Sequence, residues 1–126
     1  MKSLQTPLHK VEGLGSSHSG TEHFWYERLT SIALIPLTLW FGYVMLGLAG
    51  TNEVACISYL AHWWNALLMG AFVGIALYHI RLGLQVIIDD YVHTAGGKMA
   101  LLLLVRFFVL ATGSAAGFAL LQISRL

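Results

Sequence analysis

The chain has 126 residues, of which 57% are hydrophobic and 10% are charged, and its formal net charge is +1. A soluble domain usually carries about 25% charged residues, so this composition predicts a small integral membrane protein. The sequence contains no stripe of lysine and arginine with interleaved aromatic residues, so it gives no support for nucleic-acid binding. Its single cysteine, Cys56, excludes an intrachain disulfide and a CxxC metal site.

The N-terminal segment, residues 1–28, is polar and contains no apolar core of the kind that a signal peptide needs. Its stretch VEGLGSSHSG is rich in glycine and serine, which predicts a flexible lead-in, and TEHFWYER after it predicts a short interfacial helix. We therefore predict an N-terminal lead-in over residues 1–28 and a single membrane domain over residues 29–126.

Three segments are apolar enough to cross a membrane, which takes about 20 residues of helix. They cover residues 29–50, 63–88 and 99–124, and short connections join them. The predicted fold class is all-α, an integral membrane protein with three transmembrane helices that pack as antiparallel neighbours. Pro36 lies inside the first span, where it is expected to kink the helix.

The basic residues predict the direction of the helices. Lys2, Lys10 and Arg28 precede the first span and Lys98 lies in the second connection, whereas the first connection contains no lysine or arginine. Because basic residues concentrate in cytoplasmic loops, we expect the N-terminus to be cytoplasmic, or in the matrix if the protein is organellar.

The second span carries ionisable groups, which cost free energy inside a membrane and are functional hypotheses by default. His79 and Asp90 are three helical turns plus about 20° apart, so they share one face, separated by about 16 Å along the axis. Gly83 lies on the same face and leaves room for a flat, bulky group. His79 has two interpretations, a hydrogen bond to a neighbouring helix or axial ligation of a haem iron.

Three further residues also have two interpretations each. Asp90 and Tyr91 are ordinary residues for a helix end at an interface, but a phenol can also donate a hydrogen bond to a quinone carbonyl, and a nearby carboxylate can help to deliver protons. Arg28 is either an anchor on the positive side of the membrane or a partner for a haem propionate, because arginine pairs well with carboxylates. Other histidines, at positions 18, 23, 62 and 93, match no zinc motif.

These residues resemble a known family. The pattern in which His79 is followed eleven and twelve residues later by Asp90 and Tyr91, with Gly83 between, is similar to the signature of the hydrophobic membrane anchor subunit of succinate dehydrogenase, complex II, in its alphaproteobacterial or mitochondrial-like form. The segment HFWYERLTS before the first span resembles that family's lead-in. Arg81 departs from the pattern of some members.

The resemblance implies a subunit of succinate:ubiquinone oxidoreductase in the bacterial inner membrane, or in the mitochondrial inner membrane if organellar. The expected partners are a second membrane anchor, an iron–sulfur subunit and a flavoprotein subunit. FAD and the iron–sulfur clusters belong to those last two subunits, so no succinate-oxidising active site is expected in this chain. A haem b is expected between the two anchors, and ubiquinone is expected as the substrate.

Carried over residue by residue, the resemblance makes His79 the haem ligand, and therefore the metal-binding residue, with Arg28 near a propionate. Tyr91 would bind the quinone and Asp90 would support that site. The alternative is a haem-free structural anchor or assembly subunit of a respiratory complex. A proton-conducting role for His79 ranks last, because the polar residues of the first span, Thr30, Ser31 and Thr38, form no continuous path.

Overall fold

The computed structural model describes residues 18–125 as an all-helical chain. Three long apolar helices, spanning Gly20–Leu48, Trp63–Tyr91 and Ala95–Ile123, are long enough to cross a membrane. This confirms the predicted fold class and its three transmembrane helices. The described elements are α1 (His18–Leu48), α2 (Glu53–Ala61), α3 (Trp63–Tyr91) and α4 (Ala95–Ile123). Residues 11–17 of the predicted glycine- and serine-rich lead-in lie outside the described residues, and residues 18–20 form the start of α1.

Helix α1 differs from the expectation of a separate interfacial helix, because it runs without interruption from His18 to Leu48. It continues through Pro36, although proline lacks the backbone N–H that would bond to the preceding turn. The helix ends at Leu48, and the turn after it contains Gly50, whose φ of 82° is a left-handed conformation that glycine adopts without steric cost. The backbone N–H of Thr51 then donates to the Leu48 carbonyl at 3.0 Å.

Helix α2 fills the first connection, for which the sequence analysis predicted no secondary structure. Asn52 starts the helix, since its side-chain oxygen accepts a hydrogen bond from the Ala55 backbone N–H at 3.0 Å. Glu53 follows in the first turn, where a negative charge stabilises the helix dipole. The helix packs against α3 and α4, and the Asn65 side chain donates to the Tyr59 carbonyl at 2.9 Å.

Helix α3 packs against both α1 and α4 and therefore lies between them. On the α1 side, Phe41 stacks on Phe72 with ring centroids 4.7 Å apart. On the α4 side, a Cβ atom added at Gly113 would lie 3.6 Å from Leu77 Cδ1, an ordinary van der Waals distance. Gly113 thus faces α3 at a point where a small side chain would fit and a large one would not.

One end of the molecule, where α3 ends and α4 begins, carries three charged groups and a phenol, and we call it the polar end: Asp89, Asp90, Tyr91 and Lys98. An ion pair of 2.6 Å between Lys98 Nζ and Asp89 Oδ1 joins the end of α3 to the start of α4. Both side chains remain about 40% exposed, so the pair contributes at most about 1 kcal/mol. It bridges the short connection at residues 92–94.

Candidate haem and quinone site

A seven-residue spacing positions the side chains of α1 that face α3. His23, Thr30 and Val44 are separated by seven and fourteen residues, and seven residues are about 20° short of two helical turns. His23 lines a groove together with α3 residues, Thr30 contacts His79, and Val44 is only 3% exposed. One face of α1 therefore places His23 and the Thr30 hydroxyl against the C-terminal half of α3, which carries His79 and Asp90.

His79 is half-buried and its ring is held by α1. Its Nδ1 atom lies 2.9 Å from Thr30 Oγ1. This contact is the interhelical hydrogen bond that one interpretation of the sequence anticipated. It uses only one of the two ring nitrogens, and no residue within 18–125 forms a hydrogen bond with Nε2.

The His79 ring borders an open groove of about 450 Å³, which we call the His79 groove. Its other walls come from α1 and are mostly aliphatic: Ser31, Leu34, Ile35, Thr38 and Leu39. Open space continues beside Gly83, where a Cβ atom would meet no other part of the described chain within 4 Å. An imidazole bordering an apolar groove suits a flat, hydrophobic cofactor with an iron atom at its centre.

Arg28 lies on the same face of α1 as the His79 groove, because it precedes Ile35 by seven residues. It is exposed, and its guanidinium carbon lies 5.2 Å from the centroid of the Phe24 ring, in a cation–π arrangement. The structure thus places a cation on the face of α1 that forms the groove, about 3 Å along the axis from Thr30. This position is compatible with a carboxylate ligand and equally with a membrane-interface anchor.

Asp90 and Tyr91 are the last two residues of α3, about 16 Å along the axis from His79. Asp90 borders a second groove of about 340 Å³, which is also lined by Gly20, His23 and Gln85. Tyr91 is 80% exposed and points about 100° away from Asp90, as consecutive helical residues do. Both lie at the polar end, but the structure does not bring the phenol and the carboxylate into one cavity of this chain.

His23 takes a position that the sequence analysis did not single out. Its Nε2 atom is buried and has no hydrogen-bond partner among the described residues. The available signal was the seven-residue spacing between His23 and Thr30, which places both on the face of α1 that meets α3. In the part of the chain that the structure describes, no group of three or more histidine, cysteine or acidic residues can hold a metal ion.

These features define a class of protein, a small multi-pass membrane protein with two histidine-bearing grooves and one charged end. The family model described as succinate dehydrogenase/fumarate reductase transmembrane subunit matches residues 2–113. The chain therefore belongs to this family, as a membrane-anchor subunit of an oxidoreductase complex, and the resemblance seen in its sequence is confirmed. It is a multi-pass protein of the inner membrane.

Individual relatives agree with the family model. The chain is 33% identical over 102 residues to the succinate dehydrogenase hydrophobic membrane anchor subunit of Paracoccus denitrificans, covering 81% of this chain and 79% of that one. The protein of the same name from Rickettsia bellii is 31% identical over 103 residues, covering 82% of each chain. A succinate dehydrogenase membrane anchor subunit from Reclinomonas americana is 29% identical over 91 residues, covering 70% and 76% respectively. No solved structure matches the chain significantly.

Proposed function

We propose that this anchor subunit supplies one axial histidine, His79, to a b-type haem that it shares with a second membrane anchor. The observation that carries the proposal is the arrangement of the ring: Nδ1 contacts Thr30 at 2.9 Å, while the ring borders an apolar groove. A neutral imidazole is a good axial ligand to haem iron. When bound, the haem supplies one-electron transfer.

The rest of the haem site follows from the helix faces. Arg28 lies on the face of α1 that forms the groove, and a guanidinium binds a carboxylate well, so we assign it to a haem propionate. The three candidate spans contain two histidines, His79 in α3 and His23 near the start of α1. The other axial ligand is therefore assigned to the second membrane anchor, whose helices would cover the open side of α1 and α3.

Ubiquinone is assigned to the polar end of the molecule. Tyr91 is the hydrogen-bond donor, because its phenol is exposed and a phenolic O–H can donate to a quinone carbonyl. Asp90 supports the site from the adjacent groove, where a carboxylate can accept or pass on a proton. The two side chains diverge within this chain, so we expect a partner subunit to close the site over them.

Docking of the other subunits is assigned to the same end. The lead-in at residues 1–28 and the polar end form the cytoplasmic surface in this proposal, and residues 29–126 form the membrane domain. An iron–sulfur subunit and a flavoprotein subunit would dock there and carry the iron–sulfur clusters and FAD. Succinate oxidation belongs to the flavoprotein, and this chain provides the membrane end of the electron path.

The replacement His79→Ala tests the haem assignment in the assembled complex. We expect the reduced-minus-oxidised haem spectrum to be lost or converted to an altered form, because the iron loses an axial ligand. His62→Ala is a matched control, since His62 is exposed at the opposite end of α3. A fully occupied low-spin haem with an unchanged spectrum in His79→Ala would refute the assignment.

One observation also favours a second candidate, a haem-free structural anchor. The hydrogen bond between Thr30 and His79 would join α1 to α3 without any cofactor, and such bonds between membrane helices stabilise by about 0.6–2 kcal/mol. In that case the purified complex would show no haem absorbance, and His79→Ala would reduce only the amount of complex recovered. Haem absorbance that depends on His79 distinguishes the first candidate from the second.

A further inference from the structure

Thr30 is the residue of α1 that contacts the His79 ring. Its hydroxyl oxygen lies 2.9 Å from His79 Nδ1, 2.8 Å from the Tyr26 carbonyl oxygen and 3.0 Å from the Glu27 carbonyl oxygen. One side-chain atom thus has three polar neighbours, two on its own helix and one on α3. The sequence pattern alone assigned Thr30 no individual role.

The number of hydrogens decides which way the contact with His79 runs. A threonine hydroxyl has one proton to donate, and a carbonyl oxygen can only accept. If that proton went to Nδ1, the hydroxyl oxygen would face two carbonyl oxygens at 2.8 and 3.0 Å with no hydrogen between them. If the proton goes to a carbonyl instead, one of these contacts becomes a hydrogen bond, and the hydroxyl accepts another from Nδ1. The favourable arrangement therefore places a proton on Nδ1.

We propose that Thr30 is a positioning residue that holds His79 in its Nδ1–H tautomer and leaves the lone pair of Nε2 available to iron. A neutral imidazole carries one N–H, so a proton on Nδ1 leaves Nε2 as the acceptor. Histidines that bind metals regularly donate their other N–H to a neighbouring acceptor, which fixes the ring and makes the ligand more basic. The inference rests on the proposed function of His79 as a haem ligand.

Two variants of Thr30 separate the role of its hydroxyl from that of its methyl group. Thr30→Val keeps the branched shape but removes the acceptor, and Thr30→Ser keeps the acceptor and loses a methyl group. Ser114→Ala is the matched control, because the Ser114 hydroxyl donates to the Leu110 carbonyl at 2.7 Å within its own helix, α4, and Ser114 does not border the His79 groove. If Thr30→Val fails to assemble, Thr30→Ala, which also lacks the hydroxyl and is smaller, replaces it.

The measurements are made on the complete complex purified from membranes, and they report on the haem itself. We expect Thr30→Val to lower the haem affinity about 10- to 100-fold, which is the loss of affinity found when the partners of metal-binding histidines are removed. Its haem midpoint potential should rise, because a less basic ligand stabilises ferric iron less. The electron paramagnetic resonance signal of the ferric haem should shift too. Thr30→Ser and Ser114→Ala should match the parent complex in all three measurements.

Failure of this inference is separable from failure of the proposed function. If His79→Ala alters the haem but Thr30→Val leaves retention, potential and resonance signal unchanged, Thr30 has no positioning role. The same conclusion follows if Ser114→Ala causes equal shifts. If His79→Ala leaves the haem unaltered, the ligand assignment is wrong and the role of Thr30 is wrong with it.

Discussion

Tyr91 shows how much one exposed side chain contributes at the polar end. Tyr91→Phe keeps the ring and removes the O–H that we assign to the quinone carbonyl. A neutral hydrogen bond contributes about 0.5–1.5 kcal/mol, so quinone reduction by succinate should slow by up to roughly tenfold. Succinate oxidation with an artificial electron acceptor should stay unchanged, because it does not need the quinone site.

The matched control for this prediction is Tyr43→Phe. Tyr43 is 78% exposed, as against 80% for Tyr91, but it lies near the other end of α1. Its replacement should leave both activities unchanged. Full quinone reductase activity in Tyr91→Phe would remove Tyr91 from the quinone site.

Replacing Arg28 tests the effect of a positive charge on the haem potential, whereas replacing Tyr91 tests a single hydrogen bond. Removing a positive charge near a haem disfavours the reduced state, which carries one more electron, so Arg28→Gln should lower the haem midpoint potential. A shift on the order of tens of millivolts is expected for a partly screened charge. Potentiometric titration of Arg28→Gln, Arg28→Lys and Arg106→Gln measures it.

The comparison variants separate a local effect from loss of net charge. Arg28→Lys keeps the charge and should shift the potential less than Arg28→Gln. Arg106 lies on α4, which does not border the His79 groove, so Arg106→Gln should leave the potential near that of the parent. Equal shifts in Arg28→Gln and Arg106→Gln would argue against a propionate contact.

At the site, the sequence predicts which residues share a face of one helix, but it does not predict contacts between side chains of two helices. The common face of His79 and Asp90 follows from helical geometry alone. The partner of the His79 ring does not, because Thr30 is 49 residues away in sequence and meets it only after α1 and α3 have packed. The divergence of Asp90 and Tyr91 was available from the same geometry, since neighbouring helical residues point about 100° apart.

At the scale of the helix, the spans were predictable because hydrophobic length is a strong signal, whereas the connections were not. Helix α2 carries its own start signal, an asparagine followed by an acidic residue, but a segment of nine residues was too short to suggest a span. Helix α1 extends back to His18, through Gly20, and no glycine or proline between Thr21 and Ile35 separates the predicted interfacial helix from the first span. Turn and capping signals therefore decided the details that hydropathy left open.

The contact between α3 and α4 gives a prediction about the glycines. Gly113→Leu should destabilise the solubilised complex by about 1–3 kcal/mol, because its added carbons would extend into the space that Leu77 occupies. Gly113→Ala should be tolerated, since its Cβ would lie 3.6 Å from Leu77 Cδ1. Thermal unfolding in detergent, followed by loss of intact complex, measures both.

Gly117 is the matched control on the same helix. A Cβ atom at Gly117 would meet no other described part of the chain within 4 Å, so Gly117→Leu should keep the stability of the parent. An equal loss of stability in Gly117→Leu and Gly113→Leu would show that the Leu77 contact is not the cause.

At the scale of the whole molecule, three helices do not enclose a core. Among the described side chains, the buried hydrophobic residues are four: Val44, Leu82, Ile88 and Val105. In a bilayer such a small buried core does not by itself destabilise the chain, because lipid chains are as apolar as the side chains that face them. The arrangement with α3 in the middle leaves one side of α1 and α3 open, and that side bears the His79 groove to which we assign the helices of the second membrane anchor.

The direction of the helices is a property of the whole chain that its basic residues predict. Lys10, Arg28 and Lys98 should lie on the cytoplasmic side, with α2 on the opposite side. In a Cys56→Ser background, a cysteine at the exposed position of Glu53 should react with a membrane-impermeant thiol reagent in intact spheroplasts. A cysteine at exposed Thr94 should react only after the membrane is permeabilised, because a charged reagent cannot cross the bilayer. The reverse labelling pattern would place the polar end, and with it the proposed docking surface, outside the cytoplasm.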